Sequence, residues 1–431
     1  MYGWARDLWP INRSLTGEGV RSTLRYLQSI IPNLQIHEVA TGTQAFDWTV
    51  PQEWNVKAAW IETPSGEKIA EYSKNNLHLM GYSTPVNAEM DLGELKKRIF
   101  SLPSQPSAIP YITSYYQKNW AFCLADNQLQ ALKPGTYKVV IDSELKTGSL
   151  TYGELILPGE TPDEIFFSTY ICHPSMANNE LSGPVVTAAL AQWLLGLKKR
   201  KFTYRFLFGP ETIGSIVYLS QHLQHLKSHV QAGYVVTCVG DENDYSFLPS
   251  RLGETLADRL TARVLEEMKI DYKKYSFSDR GSDERQFCSA LVDLPMVSVM
   301  RSKYGVYPEY HTSLDDLDYI SPKGLQGAFD ILKRCVSTLE SSAFYICASP
   351  CEPQLGKRGL YPQLSTVNTK QIVRTMMDIL AYCDGKHDIY DLAKRAHCEV
   401  SEAQLIIDKL LTAKVIRNKH EDLEINDQAN R

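Results

Sequence analysis

Between about Ser143 and Glu340 the chain alternates apolar, strand-like runs with stretches of helical texture, and three of the strand ends carry polar motifs. Parallel strands need crossover connections, so this rhythm points to an α/β domain with a largely parallel sheet covered by helices. The run Glu164 to Cys172 delivers His173, with Asn179 and Glu180 following before Ser182 and Gly183 open a helix. The run Tyr204 to Gly209 delivers Glu211, and Leu294 to Met300 leads into the loop holding His311, Asp315 and Asp316. Ligands of open α/β sheets bind outside the carboxyl ends of the strands, so the three motifs are expected to share one crevice.

Other segments read differently. Val20, Leu24, Leu27, Ile30 and Ile31 recur at near-helical spacing after Thr16–Gly19, with Pro32 as a stop. Residues 58–142 switch to short β-rich pieces separated by turn residues and interrupted by the prolines of 101–110, which reads as an inserted β-rich domain dividing a discontinuous catalytic domain of 1–57 and 143–348. Residues 360–431 give three short helical stripes, built on Ile372, Met376, Ile379 and Leu380, on Ile389, Leu392 and Ala393, and on Ile406, Ile407, Leu410 and Leu411, ahead of a polar end. A winged-helix-like module fits them. Its ten basic and eleven acidic residues lack the positive footprint of a duplex binder, so docking or a homo-oligomer contact is expected before nucleic-acid binding.

Composition narrows the setting. With 431 residues and a hydrophobic fraction of 43%, the chain can bury substantial cores, and its net charge of −5 argues against broad nucleic-acid affinity. No apolar run approaches the roughly 18 residues that span a bilayer, and Met1–Asp7 lacks the build of a secretion signal, so a soluble cytoplasmic protein without membrane association is expected. Nine scattered cysteines with no Cys-x-x-Cys suggest neither a disulfide framework nor a zinc knuckle.

Two imidazoles from separate strand ends, with a carboxylate between them, leave a coordination position open for water, as a catalytic zinc requires. His173 and His311 suit ligation, and Glu211 suits proton transfer. The bland alternatives are loop hydrogen bonds for the histidines and a helix amino-terminal carboxylate for Glu211. Asp283, Glu284, Arg285, Arg301, Lys303 and Tyr304 form a second polar group: the cations either grip an anionic substrate or pair with nearby acids. Tyr115, Tyr116 and Trp120 either wall the pocket or belong to a core. His222, His225 and His229 share a helix face that reads as solvated, and Cys172 and Cys288 are poorly signalled as nucleophiles.

Thr169–Gly183, Pro210–Ser215 and Tyr310–Asp316 resemble successive motifs of zinc-dependent aminopeptidases. Phe46–Pro51, Ser282–Gln286, Arg301–Gly305 and Cys351–Gly359 are similar to a bacterial subgroup of aminopeptidase-like proteins with an inserted β domain and a winged-helix tail, long catalogued as of unknown function. The resemblance implies the zinc aminopeptidase fold, ligation by His173 and His311, Glu211 as general base, and a carboxylate at 179 bridging two metals. Here 179 is Asn, Thr212 stands where the aminopeptidases have a second glutamate, and Thr237 where they have an aspartate. A neutral amide oxygen cannot bridge two cations with charge compensation. At most one tightly held zinc is expected, with Asn179, Glu180 and Asp241 as further candidate ligands. The leading reading is a metal-dependent amide hydrolase acting on a small or short peptide-like substrate. Its rivals are a metal-poor binding or scaffold protein and an acyl-transfer or amide-forming enzyme in a biosynthetic pathway.

Overall fold

The computed structural model describes residues 1–361 and 367–420, so the polar end expected beyond 420 lies outside the described residues. Two compact units account for them. The first comprises Met1–Leu157, Glu164–Lys198 and Tyr204–Lys333; the second gathers Pro158–Asp163, Lys199–Thr203 and the chain from Arg334 onward.

An eight-stranded sheet organises the first unit. Its order is Gln35–Ala40, Ser149–Leu157, Thr203–Gly209, Glu164–Tyr170, Val230–Val235, Met296–Met300, Ser246–Leu248 and Lys273–Lys274. Val230–Val235 is parallel to both Glu164–Tyr170 and Met296–Met300, giving the parallel centre that the alternating rhythm implied. Gln35–Ala40 and Ser149–Leu157 extend one side antiparallel, and Ser246–Leu248 runs antiparallel to Met296–Met300 on the other. Every residue of Glu164–Tyr170 is buried, as a strand covered on both faces must be.

Helix Ser182–Leu195 is apolar nearly all round and buried over most of its length. It packs so close to the sheet that a side chain at Gly183 would sit 2.4 Å from the Val236 carbonyl oxygen and 2.5 Å from Thr169 Oγ1, which is why the Ser-Gly pair opens it. Helix Glu18–Ile30 buries Val20, Leu24 and Leu27, as their spacing predicts. Helix Leu256–Glu267 begins at a capping box in which Thr255 and Asp258 satisfy each other's backbone donors.

The segment read as an insertion contains a four-stranded antiparallel sheet ordered Lys68–Ile69, Glu53–Glu62, Thr136–Lys146, Val86–Asp91. It has its own core, with Trp54, Tyr82, Phe122 and Tyr137. Its two long strands reach beyond 58–142, into Glu53 and Lys146.

In the second unit, Phe344–Cys347 lies between Asp384–Asp388 and Ile416–Asn418, antiparallel to both. Helices Val367–Ala381, Ile389–Arg395 and Val400–Thr412 accompany this sheet around Met376, Ile379, Leu392, Ile406 and Leu410. Ile372, expected in that stripe, is exposed. Among the described residues no helix is long and apolar enough to cross a membrane.

Candidate active site

The chain passes from Glu164–Tyr170 to Thr203–Gly209 on one side, then crosses to Val230–Val235 on the other, so the strand order reverses at Glu164–Tyr170. A crevice opens at such a switch point. Here it is a cavity of about 210 Å³ lined by His173, Glu211 and His311, with Arg13, Tyr111, Tyr115, Cys172, Thr212 and Arg285 among the other walls.

His173 is buried, and its ring is held from both sides. Nδ1 lies 3.0 Å from Glu180 Oε2, while Nε2 lies 3.8 Å from Glu211 Oε2. Glu180 in turn receives Arg13 Nε at 3.1 Å, and the same Nε reaches the His173 carbonyl oxygen at 3.1 Å. Arg13 and Glu180 are fully enclosed, so their charges neutralise each other without water. Burial works against a charged His173, yet neighbouring Cys172, Tyr111 and the Glu180 hydrogen bond hold its pKa well above the ordinary histidine value. A carboxylate on the rear nitrogen of a histidine fixes its tautomer and aims the front nitrogen, an arrangement typical behind metal ligands.

His311 faces it, with ring centroids 5.6 Å apart. Its backbone is left-handed, at φ 56°. Tyr310 stacks on the ring at 3.9 Å, and Tyr111 meets it edge-on at 5.0 Å. Burial and then the charge on His173 push its pKa down to about 3, leaving a neutral imidazole at pH 7. Its Nε2 is buried without a hydrogen-bond partner. The Tyr111 ring also touches His173, at 5.2 Å. That ring arrives from the insertion, where Ile109 and Tyr111 bond the His311 loop: Tyr111 N donates to the His311 carbonyl at 2.8 Å, and Ile109 N to Ser313 Oγ at 3.0 Å.

Glu211 ends its strand at a strained turn. Thr212 adopts φ 63° and ψ −78°, and Ile213 N donates across it to the Glu211 carbonyl at 2.8 Å, a γ-turn of the rare sign. Such geometry costs about 1–3 kcal/mol and persists where surroundings enforce it. Here Asp283 accepts from Thr212 N at 2.7 Å and from Ser215 Oγ at 2.8 Å, and Arg285 donates to Thr212 Oγ1 at 2.9 Å. Ser282 Oγ donates to Glu211 Oε1 at 2.8 Å, leaving Oε2 for the cavity. Burial raises the Glu211 pKa, partly offset by His173. Burial, then the Glu211 charge, lifts Asp283 to about 7.

The loop that follows His173 closes in a π-helical turn, Ala177–Leu181, a form that favours functional sites. Asp315 holds the turn, accepting from the backbone N–H groups of Ala177, Asn178 and Asn179 at 3.2, 2.6 and 2.9 Å. Asn179 Nδ2 donates to the Tyr170 hydroxyl at 2.8 Å, and its Oδ1 is buried without a partner. Thr237 Oγ1 meets the Tyr170 hydroxyl at 2.6 Å and the Asn179 carbonyl at 3.2 Å.

Apart from Tyr115, the remaining expected residues do not line this cavity, Asn179 and Glu180 included. Asp241 is committed elsewhere: it accepts from Asn178 Nδ2 at 3.0 Å, Asn243 N at 2.9 Å, Ser302 N at 2.9 Å and Ser302 Oγ at 2.8 Å. Glu284 is buried beneath Tyr304, which donates to it, and accepts from Gly281 N at 2.7 Å and Ser282 N at 2.9 Å. The Arg301 guanidinium lies 3.6 Å over the Tyr245 ring, and Lys303 lies 4.0 Å over Tyr304. Tyr115 is in the wall, while Tyr116 is exposed and Trp120 packs on the insertion's core. His225, half-exposed, bonds the buried Glu164 at 2.7 Å in a network around the buried Arg205.

The site offers candidate donors for one divalent cation. His173 Nε2 is aimed from behind, and His311 Nε2 and Asn179 Oδ1 are neutral buried atoms lacking partners. A second cation would need carboxylates where Asn179, Thr212 and Thr237 stand. Cys172, His173 and Glu180 bring ligand atoms within 4.8 Å of one another, but Glu180 already serves Arg13 and His173. Cys172 is a neutral thiol, its pKa pushed up to about 11 by burial, that accepts from Glu211 N at 3.1 Å.

Residues 2–342 match the family described as a domain of unknown function, DUF4910, and residues 343–418 match a winged helix-turn-helix family. The chain belongs to DUF4910. A Clostridium acetobutylicum relative, named for polysaccharide biosynthesis and an aminopeptidase-like domain, is 42% identical over 419 residues, covering 97% of this chain and 96% of the relative. A crystal structure of a candidate peptidase from the same organism is 41% identical with a TM-score of 0.81, over 97% of this chain and 95% of that one. A Bacillus subtilis zinc aminopeptidase shares the fold, at 13% identity and a TM-score of 0.57 over 78% of this chain and 94% of its own. The aminopeptidase-like α/β fold and the winged-helix tail implied by the sequence are thus established for this DUF4910 member.

Proposed function

We propose that this DUF4910 protein is an amide hydrolase that works with a single zinc ion on a small or short peptide-like substrate. The observation that carries the reading is the buried, partnerless Nε2 of His311 facing a His173 whose Nε2 lies beside Glu211. Zinc bound by His173, His311 and Asn179 would supply Lewis acidity toward the amide carbonyl and the attacking water.

The chain's own groups do the rest. Glu211 Oε2, partly exposed and left free by Ser282, takes a proton from water as the oxygen adds to the carbonyl carbon. It then gives that proton to the nitrogen as the carbon–nitrogen bond breaks. A raised pKa makes it a stronger base for the first transfer. Glu180 and Arg13 hold the His173 ring in place, and the Tyr111 ring packs edge-on against both imidazoles.

Asn179, Thr212 and Thr237 favour a second reading, in which metal is absent and the site binds a ligand or forms an amide in a polysaccharide-related pathway. Elemental analysis of purified protein, with turnover of a panel of amino-acid and N-acyl anilides, separates the two. The first reading expects about one zinc per chain, lost in His311→Ala, and turnover abolished by Glu211→Gln. Absence of both metal and turnover overturns it.

A further inference from the structure

The charges around the cavity select among substrates. Among its lining residues Arg285 is a cation with no acid partner, Arg13 is a cation paired with the enclosed Glu180, His173 is held toward its charged form, and the only carboxylate is Glu211. A substrate presenting a free ammonium group would have Glu211 alone to pair with, and that pairing would occupy the group needed for proton transfer.

Arg285 donates only to neutral acceptors, the Ser282 carbonyl at 3.1 Å through Nε and Thr212 Oγ1 at 2.9 Å through Nη2. No acid among the described residues lies within ion-pair distance of it, although it sits close enough to lower the Glu211 pKa. Arg13 is 1% exposed, and its Nη2 is buried without a partner. A buried donor left unmet is costly and favours an acceptor brought by a ligand. Planar guanidinium groups match the paired oxygens of carboxylate and phosphate. The rest of the lining mixes the apolar Leu15, Trp54 and Leu79 and the Tyr115 ring with the uncharged polar Asn12, Ser14 and Thr113, and 210 Å³ holds the equivalent of about seven waters.

We infer that this site takes a small amide carrying an anionic group, a carboxylate or phosphate gripped by Arg285, and rejects substrates with a free cationic amine. The inference rests on the hydrolase reading for its chemistry but not for its binding. Arg301 and Lys303, capped by aromatic rings away from the cavity, take no part.

Two measurements keep the readings apart. In the first, calorimetric titration with succinate, inorganic phosphate and alaninamide reports binding without turnover. One of the two anions is expected to bind, identifying carboxylate or phosphate as the recognised group, with alaninamide at least tenfold weaker. Arg285→Gln should weaken the anion at least tenfold, and Arg285→Lys should recover part of the loss. In the second, the hydrolysis rates of succinyl-alanyl, acetyl-alanyl and alanyl anilides are compared. The succinyl compound is expected to lead, and Arg285→Gln to erase its lead over the acetyl compound through KM. Anion binding that depends on Arg285, with no hydrolysis of any anilide, supports the inference and removes the hydrolase. Preference for the free-amine anilide or for alaninamide, or anion binding indifferent to Arg285→Gln, overturns it.

Discussion

At the residue scale the site is a chain of single contacts, Arg13 to Glu180 to His173 to Glu211 to Ser282, each partner fixing the next. Its ends do different work. Glu211→Gln keeps the shape and removes the proton acceptor; kcat is expected to fall about 10²–10⁴-fold with the urea midpoint unchanged. Arg13→Met strands a buried carboxylate, and urea unfolding should show a loss of about 3–5 kcal/mol. His173, Glu211 and His311 were legible in the sequence because each follows an apolar strand. Arg13 and Tyr111 were not: they lie in loops without periodicity, and Arg13 joins His173 across 160 residues. The polar residues at 283, 284, 285, 301 and 303 gave no hint of which would face the cavity, since the cations at 301 and 303 are taken up by the rings of Tyr245 and Tyr304. Arg285 alone does so.

At the scale of elements, turns and strand ends hold the strain and the charge. Thr212→Gly fits a left-handed γ-turn without a side-chain clash, so the thermal midpoint should rise by the equivalent of about 1 kcal/mol while Arg285 loses its hydroxyl anchor. Strand Glu53–Glu62 is tied to helix Glu18–Ile30 through Glu53, whose oxygens receive Arg21 at 3.0 and 2.7 Å. The Arg21 hydrogen bonds hold the Glu53 pKa down, at about 2, from 4.5. A carboxyl whose folded pKa is depressed stabilises fully above the unfolded value and loses that contribution as pH falls toward the folded one. Stability followed by urea titration should therefore decline from pH 4.5 toward 2, and Arg21→Met should flatten that decline.

At the scale of the whole molecule the alternating strands and helices were readable because covered parallel strands are apolar end to end, as Glu164–Tyr170 shows. Unit boundaries were harder. The second unit begins at Arg334 and takes in Pro158–Asp163 and Lys199–Thr203, short loops whose sequence carries no trace of a partner far along the chain. Within it Asp163 pairs with Lys419 at 2.6 Å and His420 at 3.1 Å, and Phe202 meets the rings of Phe344 and His420. Ending the chain at residue 342 removes those partners and uncovers Phe202; light scattering is expected to show association of the shortened protein where the full chain stays dispersed.

Tyr111 stands between two imidazoles that the main sheet supplies, yet it belongs to the segment that interrupts that sheet. The interruption thus supplies a wall of the cavity, and its loss would remove the one ring that packs against both imidazoles among the described residues. Transplanting this chemistry onto another scaffold would mean moving 109–111 together with the His311 loop, because the two are stitched by their own backbones.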